Sequence, residues 1–148
     1  PVEQKIIIGA KAIGVFVFTF DKAHILENWQ EIKIPKHINK PMIMACSRSH
    51  HSGPVLQFIN ALKEKGHQID FIKKGSALKF FDLALGNADI YPRFAPTMEW
   101  DIAAGQAILE ALGGEVIHAI TEQPLYYNKA NLLNPYFIAR TAAVKNQI

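Results

Sequence analysis

Strand-like and helix-like segments alternate along the chain from residue 41 onward, and this alternation constrains the fold more than any other feature. The run Pro41–Cys46 is short and continuously apolar, as expected of a strand buried on both faces. An amphipathic helix is predicted next, at Gly53–Lys65. The later predicted segments are the strands Gln68–Ile72, Ala88–Tyr91, Glu115–Ile120 and Tyr136–Arg140, and the helices Ala77–Leu85 and Glu99–Leu112. The pattern predicts an α/β fold with a mainly parallel sheet of about five strands, flanked by helices.

The first forty residues have a different character. Lys5–Ala10 and Ala12–Phe20 are rich in Ile, Val and Phe and are predicted to form a β-hairpin, with Ile32–Ile34 as an edge strand. A hairpin is marginally stable alone in water, and this one has no evident partner within the segment. We therefore expect two parts, residues 1–38 with these strands and residues 39–148 with the α/β domain.

Composition excludes several classes of protein. The 16 Lys and Arg residues are spread along the chain, and a net charge of +3 does not indicate a nucleic-acid-binding arm. The single cysteine, Cys46, excludes an internal disulfide framework and sits in an apolar strand, where a core role is expected. The apolar runs are too short for a transmembrane helix. We expect a cytoplasmic protein, with peripheral association at the inner membrane as an alternative.

The helix that begins near Glu99 carries an acidic residue, Asp101, in its first turn. Pro96 precedes this helix and Gly113-Gly114 ends it, which is the usual punctuation of a helix. Its body is rich in Ala and Gly, so we expect neighbouring backbones to approach closely and bury it. Because the helix dipole favours a negative charge at this end, Asp101 is either a helix-start residue or an ionised ligand.

Polar and cationic residues follow three of the predicted strands. In an open α/β sheet, ligands bind at the carboxyl ends of the strands. Guanidinium, ammonium and hydroxyl groups together are typical of phosphate recognition. Each residue also has a simpler interpretation, since Ser76 could merely cap a helix, and the arginines and histidines could be surface residues. The candidate binding residues are Ser47, Arg48, His50, Gly75, Ser76, Lys79, Arg93 and Asp101.

Several of these segments resemble one known family. W-D-x-A-A-G at Trp100–Gly105 resembles the second signature of the inositol monophosphatase superfamily. Other elements resemble the CysQ-type 3′(2′),5′-bisphosphate nucleotidases in particular, namely Ser47–His50, Gly75–Lys79, Tyr91–Arg93 and Leu133–Pro135. The resemblance is strong over roughly residues 40–140 and extends to residues 1–40 in general layout.

The resemblance implies a Mg²⁺-dependent phosphatase that removes the 3′-phosphate of adenosine 3′,5′-bisphosphate, a by-product of sulfate assimilation. Asp101 matches a catalytic carboxylate that binds metal and helps to hold the attacking water. Ser76, Lys79 and Arg93 match groups that contact the phosphates, and His50 matches a position near the nucleotide. Alternatives are an inositol phosphate or fructose bisphosphate phosphatase of the same superfamily, or a non-catalytic anion-binding domain.

One departure from the family pattern is large. The first signature, D-P-x-D-G-T, and an upstream Glu supply further metal ligands in the family, and neither occurs in this sequence. The resemblance therefore implies a C-terminal domain preceded by the last strands of a truncated N-terminal domain. We expect such a chain to be inactive alone, with the remaining Mg²⁺ ligands on the N-terminal part. We also expect its exposed N-terminal strands to self-associate or to fold over the α/β domain.

Overall fold

The computed structural model describes residues 4–47 and 53–148. The N-terminal segment forms a three-stranded antiparallel sheet in the order β1-β2-β3. Its strands are β1 (Lys5–Ala10), β2 (Gly14–Thr19) and β3 (Gln30–Glu31). The hairpin is confirmed, but the edge strand lies just before the predicted Ile32–Ile34. Ile32 still donates its N–H to Val15 O (2.8 Å), and the chain then leaves the sheet towards Pro35.

The rest of the described chain is built on a five-stranded sheet in the order β5-β4-β6-β8-β7. Strands β4, β5 and β6 are parallel, whereas β8 runs antiparallel to both of its neighbours, so the sheet is mixed but mainly parallel. The predicted α/β fold is thus confirmed. The strands are β4 (Met42–Cys46), β5 (Ile69–Lys73), β6 (Ile90–Arg93), β7 (Glu115–His118) and β8 (Phe137–Arg140), and the helices are α1 (Gly53–Glu64), α2 (Leu78–Ala84), α3 (Glu99–Ala111) and α4 (Ala142–Lys145).

Helices cover the five-stranded sheet on both faces. On one face, Val55, Ile59 and Leu62 of α1 pack in a cluster with Met42 and Met44 of β4. On the other face, α2 and α3 pack against the sheet through a separate cluster, whose helix residues are Phe80, Leu83, Ile102 and Leu109. The continuously apolar sequence of β4 follows from this arrangement, because its side chains are covered on both sides.

The strand order creates a crevice beside β4. The chain passes from β4 to β5 on one side and then returns to place β6 on the other side of β4. Connections that leave in opposite directions separate the loops at the carboxyl ends of β4 and β6. Ser47 follows β4 directly, and Arg93 is the last residue of β6. These two residues therefore lie at the position where ligands bind in open α/β sheets.

The N-terminal hairpin packs against helix α3 and the residue that follows it. Val15 of β2 is buried in a cluster with Leu112, which follows α3, and Ile7 of β1 packs against the same cluster. Within the small sheet, the indole of Trp29 stacks on the ring of Phe18 in β2, with ring centroids 4.3 Å apart. The hairpin thus lies against α3, which is one of its two expected arrangements. The domain division at residue 38 stays a prediction.

Helix α3 is only half buried, so the prediction that it would be enclosed is wrong. Its inner side packs through Ile102 and Leu109, but Ala103 and Ala104 are exposed and Trp100 is 66% exposed. Close approach occurs at one place, where Gly105 meets the ring of Phe80 on α2. Within the described ranges, no helix has the length and apolar character needed to cross a membrane.

We predict that Gly105→Ala destabilises the protein. A Cβ at this position would lie under 3.0 Å from three atoms of the Phe80 side chain. Overpacking of this kind costs about 1–3 kcal/mol, which exceeds the gain of about 0.5–1 kcal/mol from replacing Gly by Ala in a helix. The measurement is the free energy of unfolding in urea. Gly53→Ala in α1 is the matched control, because its Cβ meets nothing within 4 Å. Equal stability of the two variants would contradict this packing argument.

Candidate functional site

A cavity of about 340 Å³ opens at the carboxyl ends of β4 and β6. It brings together five of the predicted site residues: Ser47, Ser76, Lys79, Arg93 and Asp101. Gly75 is not part of its lining and is exposed on the preceding turn. Arg48 and His50 lie outside the described residues. The remaining lining comes from Ala77, Phe80, Tyr91, Pro96, Thr97 and Ile102.

The guanidinium of Arg93 is held in place by uncharged groups. Its Nη1 donates to Ser47 Oγ (2.9 Å) across the crevice, and its Nη2 donates to Pro96 O (3.2 Å). Its Nε is buried without a hydrogen-bond partner in the described structure. Among the described residues, no carboxylate forms a salt bridge with Arg93. The site thus contains a fixed positive charge without an acidic partner.

Lys79 is a second cation at this cavity and is only 2% exposed. Its ammonium group donates to Ser76 O (2.9 Å) and Lys74 O (3.2 Å) and lies 4.8 Å from the centre of the Tyr91 ring. Burial, together with the nearby charge of Arg93, lowers the pKa of Lys79 to about 8. Two backbone carbonyls and an aromatic face partly replace the lost hydration.

Ser76 does not cap a helix, which was the simpler interpretation of its position. It lies in a turn before α2 with φ of +44°, and α2 begins at Leu78. The residue at the helix start, Ala77, provides no side-chain cap. Ser76 and Lys79 meet because the lysine side chain reaches back and donates to the carbonyl oxygen of Ser76 in the turn. The strained backbone at Ser76 is thereby tied to a buried cation.

Asp101 performs the helix-start role, and one of its oxygens remains available. Its Oδ2 accepts the backbone N–H of Met98 (2.8 Å), while its own N–H donates to Met98 O (3.0 Å). This reciprocal pair resembles a capping box and fixes the carboxylate at the first turn of α3. No hydrogen bond to Oδ1 exists in the described structure. Asp101 is exposed at the cavity, so it can serve as the helix-start residue through Oδ2 and still offer Oδ1 to a ligand.

The segment after β7 fastens the start of α3. Asn134 is buried and donates to Met98 O (2.8 Å) and Thr97 Oγ1 (3.2 Å). Glu99 accepts from the Asn128 N–H (2.8 Å) and pairs with Lys129. The hydrogen bond from Lys129 is the main reason why the pKa of Glu99 is lowered. Hydrogen bonds from residues about 30 positions later in the chain thus fix the start of α3, where Asp101 lies.

Sequence reasoning missed Tyr91 and Thr97 as lining residues. Tyr91 belongs to the Tyr91–Arg93 element, so a signal was present, but a Tyr in a buried strand also fits an ordinary core role. Thr97 lies in the turn before α3 and carries no distinctive pattern. Cys46 is buried as expected, and burial raises the pKa of its thiol, which does not favour a nucleophile.

The described residues fit only part of a metal site. Across residues 4–47 and 53–148, no group of three or more His, Cys, Asp or Glu side chains could hold a metal ion. Asp101 is the only carboxylate among the described lining residues of the cavity. Magnesium needs several oxygen ligands in a near-octahedral arrangement, some of which are usually waters. One carboxylate is a suitable ligand but does not make a site by itself.

The sequence matches the inositol monophosphatase family over residues 1–145. The 3′(2′),5′-bisphosphate nucleotidase CysQ of Escherichia coli (strain K12) is 41% identical over 99 residues, which cover 66% of this chain and 38% of that protein. The crystal structure of CysQ from Bacteroides thetaiotaomicron, a bacterial member of the inositol monophosphatase family, aligns with a TM-score of 0.80 and 36% identity. That alignment covers 96% of this chain and 55% of the other.

A more distant relative shares the fold alone. The crystal structure of an IMPase/NADP phosphatase complexed with Mg²⁺ and phosphate aligns with a TM-score of 0.59 at 14% identity, over 89% of this chain and 47% of the other. The chain thus spans about half the length of the similar solved proteins and about two fifths of the length of the curated relative.

We predict that the buried ammonium of Lys79 makes stability rise with pH above about 8. The pKa is about 8 in the folded protein and 10.5 for an ordinary lysine, so the unfolded chain binds more protons between these values. The free energy of unfolding then increases by up to about 1.4 kcal/mol per pH unit. The measurement is urea unfolding from pH 7 to 10 for the wild type and Lys79→Met. In Lys79→Met, the free energy of unfolding is expected not to rise over this pH range. The same pH slope in the variant and the wild type would contradict the assignment of the rise to Lys79.

Proposed function

Because the chain belongs to the inositol monophosphatase family, we propose that it is the C-terminal portion of a phosphatase that removes the 3′-phosphate of adenosine 3′,5′-bisphosphate. Its part in that enzyme is to bind the phosphates of the nucleotide and to supply one catalytic carboxylate, Asp101. The similarity to curated relatives named as bisphosphate nucleotidases supports this substrate over others in the family.

The observation that carries the proposal is a buried cation, Lys79, and a half-buried cation, Arg93, beside one cavity. Lys79 and Arg93 have no carboxylate partner among the described residues, and both line the same space. An unpaired buried charge is costly unless a ligand compensates it. Phosphate oxygens accept hydrogen bonds from guanidinium and ammonium groups, and a cavity of about 340 Å³ has room for such a group. Ser47 and Ser76 add polar atoms to the wall.

We propose that Asp101 binds Mg²⁺ together with ligands outside this chain. When bound, magnesium can activate water and neutralise charge on phosphoryl oxygens. The available Oδ1 of Asp101 supports a ligand role, and the braced start of α3 would fix its position. Arg48, His50 and Gly75 stay predicted binding residues.

Two other functions remain as alternatives. A phosphatase for inositol phosphates or fructose bisphosphate would use the same family scaffold, and a non-catalytic anion-binding domain would use the same two cations. The nucleotide is favoured because Lys79, Arg93 and Ser76 provide several contacts, whereas a single phosphate needs fewer. Relative affinities for these ligands separate the possibilities, since a binder of inositol monophosphate would not prefer the nucleotide.

The test is isothermal titration of the 148-residue chain with adenosine 3′,5′-bisphosphate. We expect binding, and we expect Arg93→Met to weaken it by about ten- to a hundredfold, because a hydrogen-bonded charge is removed from the phosphate. Arg140→Met is the matched control, since it removes the same charge from a residue paired with Glu115 in β7. Glu115 keeps Lys145 as a partner in that variant (3.3 Å).

Equal affinities of the wild type and Arg93→Met would contradict the assignment of the site. Tighter binding of inositol monophosphate than of the nucleotide would favour the alternative phosphatase. We further expect no phosphate release from the nucleotide by this chain with Mg²⁺, because one carboxylate cannot complete the metal site. Turnover by the purified chain would overturn the division of the active site proposed above.

The cytoplasmic location and the peripheral membrane association stay predictions. Self-association through the N-terminal strands is also a proposal. Exposed Ile8 and Phe20 support it, and β1 is an edge strand of the small sheet. The packing of the hairpin on α3 reduces the need for another partner. A molar mass equal to one chain, 16.6 kDa, at high concentration in light scattering would argue against association.

A further inference from the structure

Tyr91 is a buried polar residue whose hydroxyl has no assigned role. The side chain is 4% exposed and lines the same cavity as the two cations. Its hydroxyl has no hydrogen-bond partner in the described structure. The hydroxyl oxygen is not among the fully buried side-chain atoms without a partner, so it is open to the cavity and can meet a ligand there. A phenylalanine would fill the same space without leaving a donor unsatisfied.

The ring of Tyr91 is held rigidly. Phe80 and Phe137 meet it edge-on, with centroid distances of 5.7 Å and 5.4 Å and interplanar angles of 82° and 86°. The ammonium of Lys79 lies 4.8 Å from the ring centre. Such contacts fix the ring on several sides, so the direction of the hydroxyl is set by packing and not by a hydrogen bond.

The electrostatic surroundings connect this hydroxyl to the site. Burial raises the pKa of Tyr91 to about 12, while Arg93 acts to lower it and Asp101 acts to raise it. The hydroxyl is therefore within the electrostatic range of both charged lining residues. It keeps its proton throughout the range in which Lys79 titrates, since the pKa of Lys79 is about 8.

We propose that the Tyr91 hydroxyl donates a hydrogen bond to a phosphate group bound in the cavity and is thus a further binding residue. The proposal rests on the proposed function, because both place an anion between Lys79 and Arg93. It adds a neutral donor to the two cations. An anion in the cavity would give the unpartnered hydroxyl an acceptor beside the guanidinium of Arg93, which lines the same space.

The experiment titrates the wild type and Tyr91→Phe with inorganic phosphate, followed by NMR and calorimetry. The substitution keeps the ring, its edge contacts and the face presented to Lys79, and removes only the oxygen. We expect about a tenfold weaker affinity for phosphate, as for the loss of a hydrogen bond to a charged group. We expect the melting temperature to stay nearly the same, because the hydroxyl makes no hydrogen bond in the described structure.

Tyr127→Phe is the matched control. Its hydroxyl donates to Gln106 Oε1 (2.6 Å), and Tyr127 is not among the lining residues of the cavity. The control is expected to bind phosphate as the wild type does. Equal phosphate affinities of the wild type and Tyr91→Phe would overturn the inference. Equal weakening in both tyrosine variants would also overturn it, because the effect would then not be local.

A second measurement does not depend on the variant folding. In wild-type protein labelled at the tyrosine ζ-carbons, phosphate should shift the signal of Tyr91 and leave that of Tyr127 in place. An unshifted Tyr91 signal at saturating phosphate would overturn the inference. Phosphate binding without preference for the nucleotide would count against the proposed substrate only. Absence of phosphate binding by the wild type would overturn the proposed site and this inference together.

Discussion

The position of a buried cation, Lys79, close to a half-buried one, Arg93, beside one cavity is the constraint on which the rest of the site depends. Lys79 and Arg93 repel each other, and part of the lowered pKa of Lys79 comes from Arg93. The fold offsets this cost with neutral groups: backbone carbonyls, a serine hydroxyl and the face of Tyr91. A carboxylate would neutralise the charges more effectively but would also occupy the space of a ligand. Under the proposed function, the arrangement would lower the stability of the free protein and raise its affinity for an anion.

Much of the architecture could be predicted because it follows from local patterns. Continuous apolar runs such as Met42–Cys46 indicate strands covered on both faces, and alternation with helices indicates a parallel arrangement. The convergence of Ser47 and Arg93 followed from the general rule that carboxyl ends of neighbouring parallel strands share an edge. The reversed direction of Phe137–Arg140 was not predictable, since the same residues would suit a strand of either direction.

The details of the site depended on features that a sequence does not display. A positive φ at Ser76 is unusual for a residue other than glycine, and it separates the turn from α2. The lysine side chain that spans this gap is long enough to do so, but its direction is set by the surrounding packing. Tyr91 is ambiguous for another reason: its ring fits a core, and only the absence of a hydroxyl partner among the described residues distinguishes it from a phenylalanine.

The exposed side of α3 bears on how the metal site could be completed. The inner wall of the cavity presents the cations Lys79 and Arg93, which would repel a metal ion. If the metal site is completed as proposed, further carboxylates would approach Asp101 from the solvent side of the helix start. Trp100, Ala103 and Ala104 lie exposed on this helix, and the small alanine side chains would allow another backbone to come close. The alanine-rich sequence that wrongly predicted burial of α3 thus forms a surface of small side chains close to Asp101, which suits the approach of further metal ligands under the proposed function.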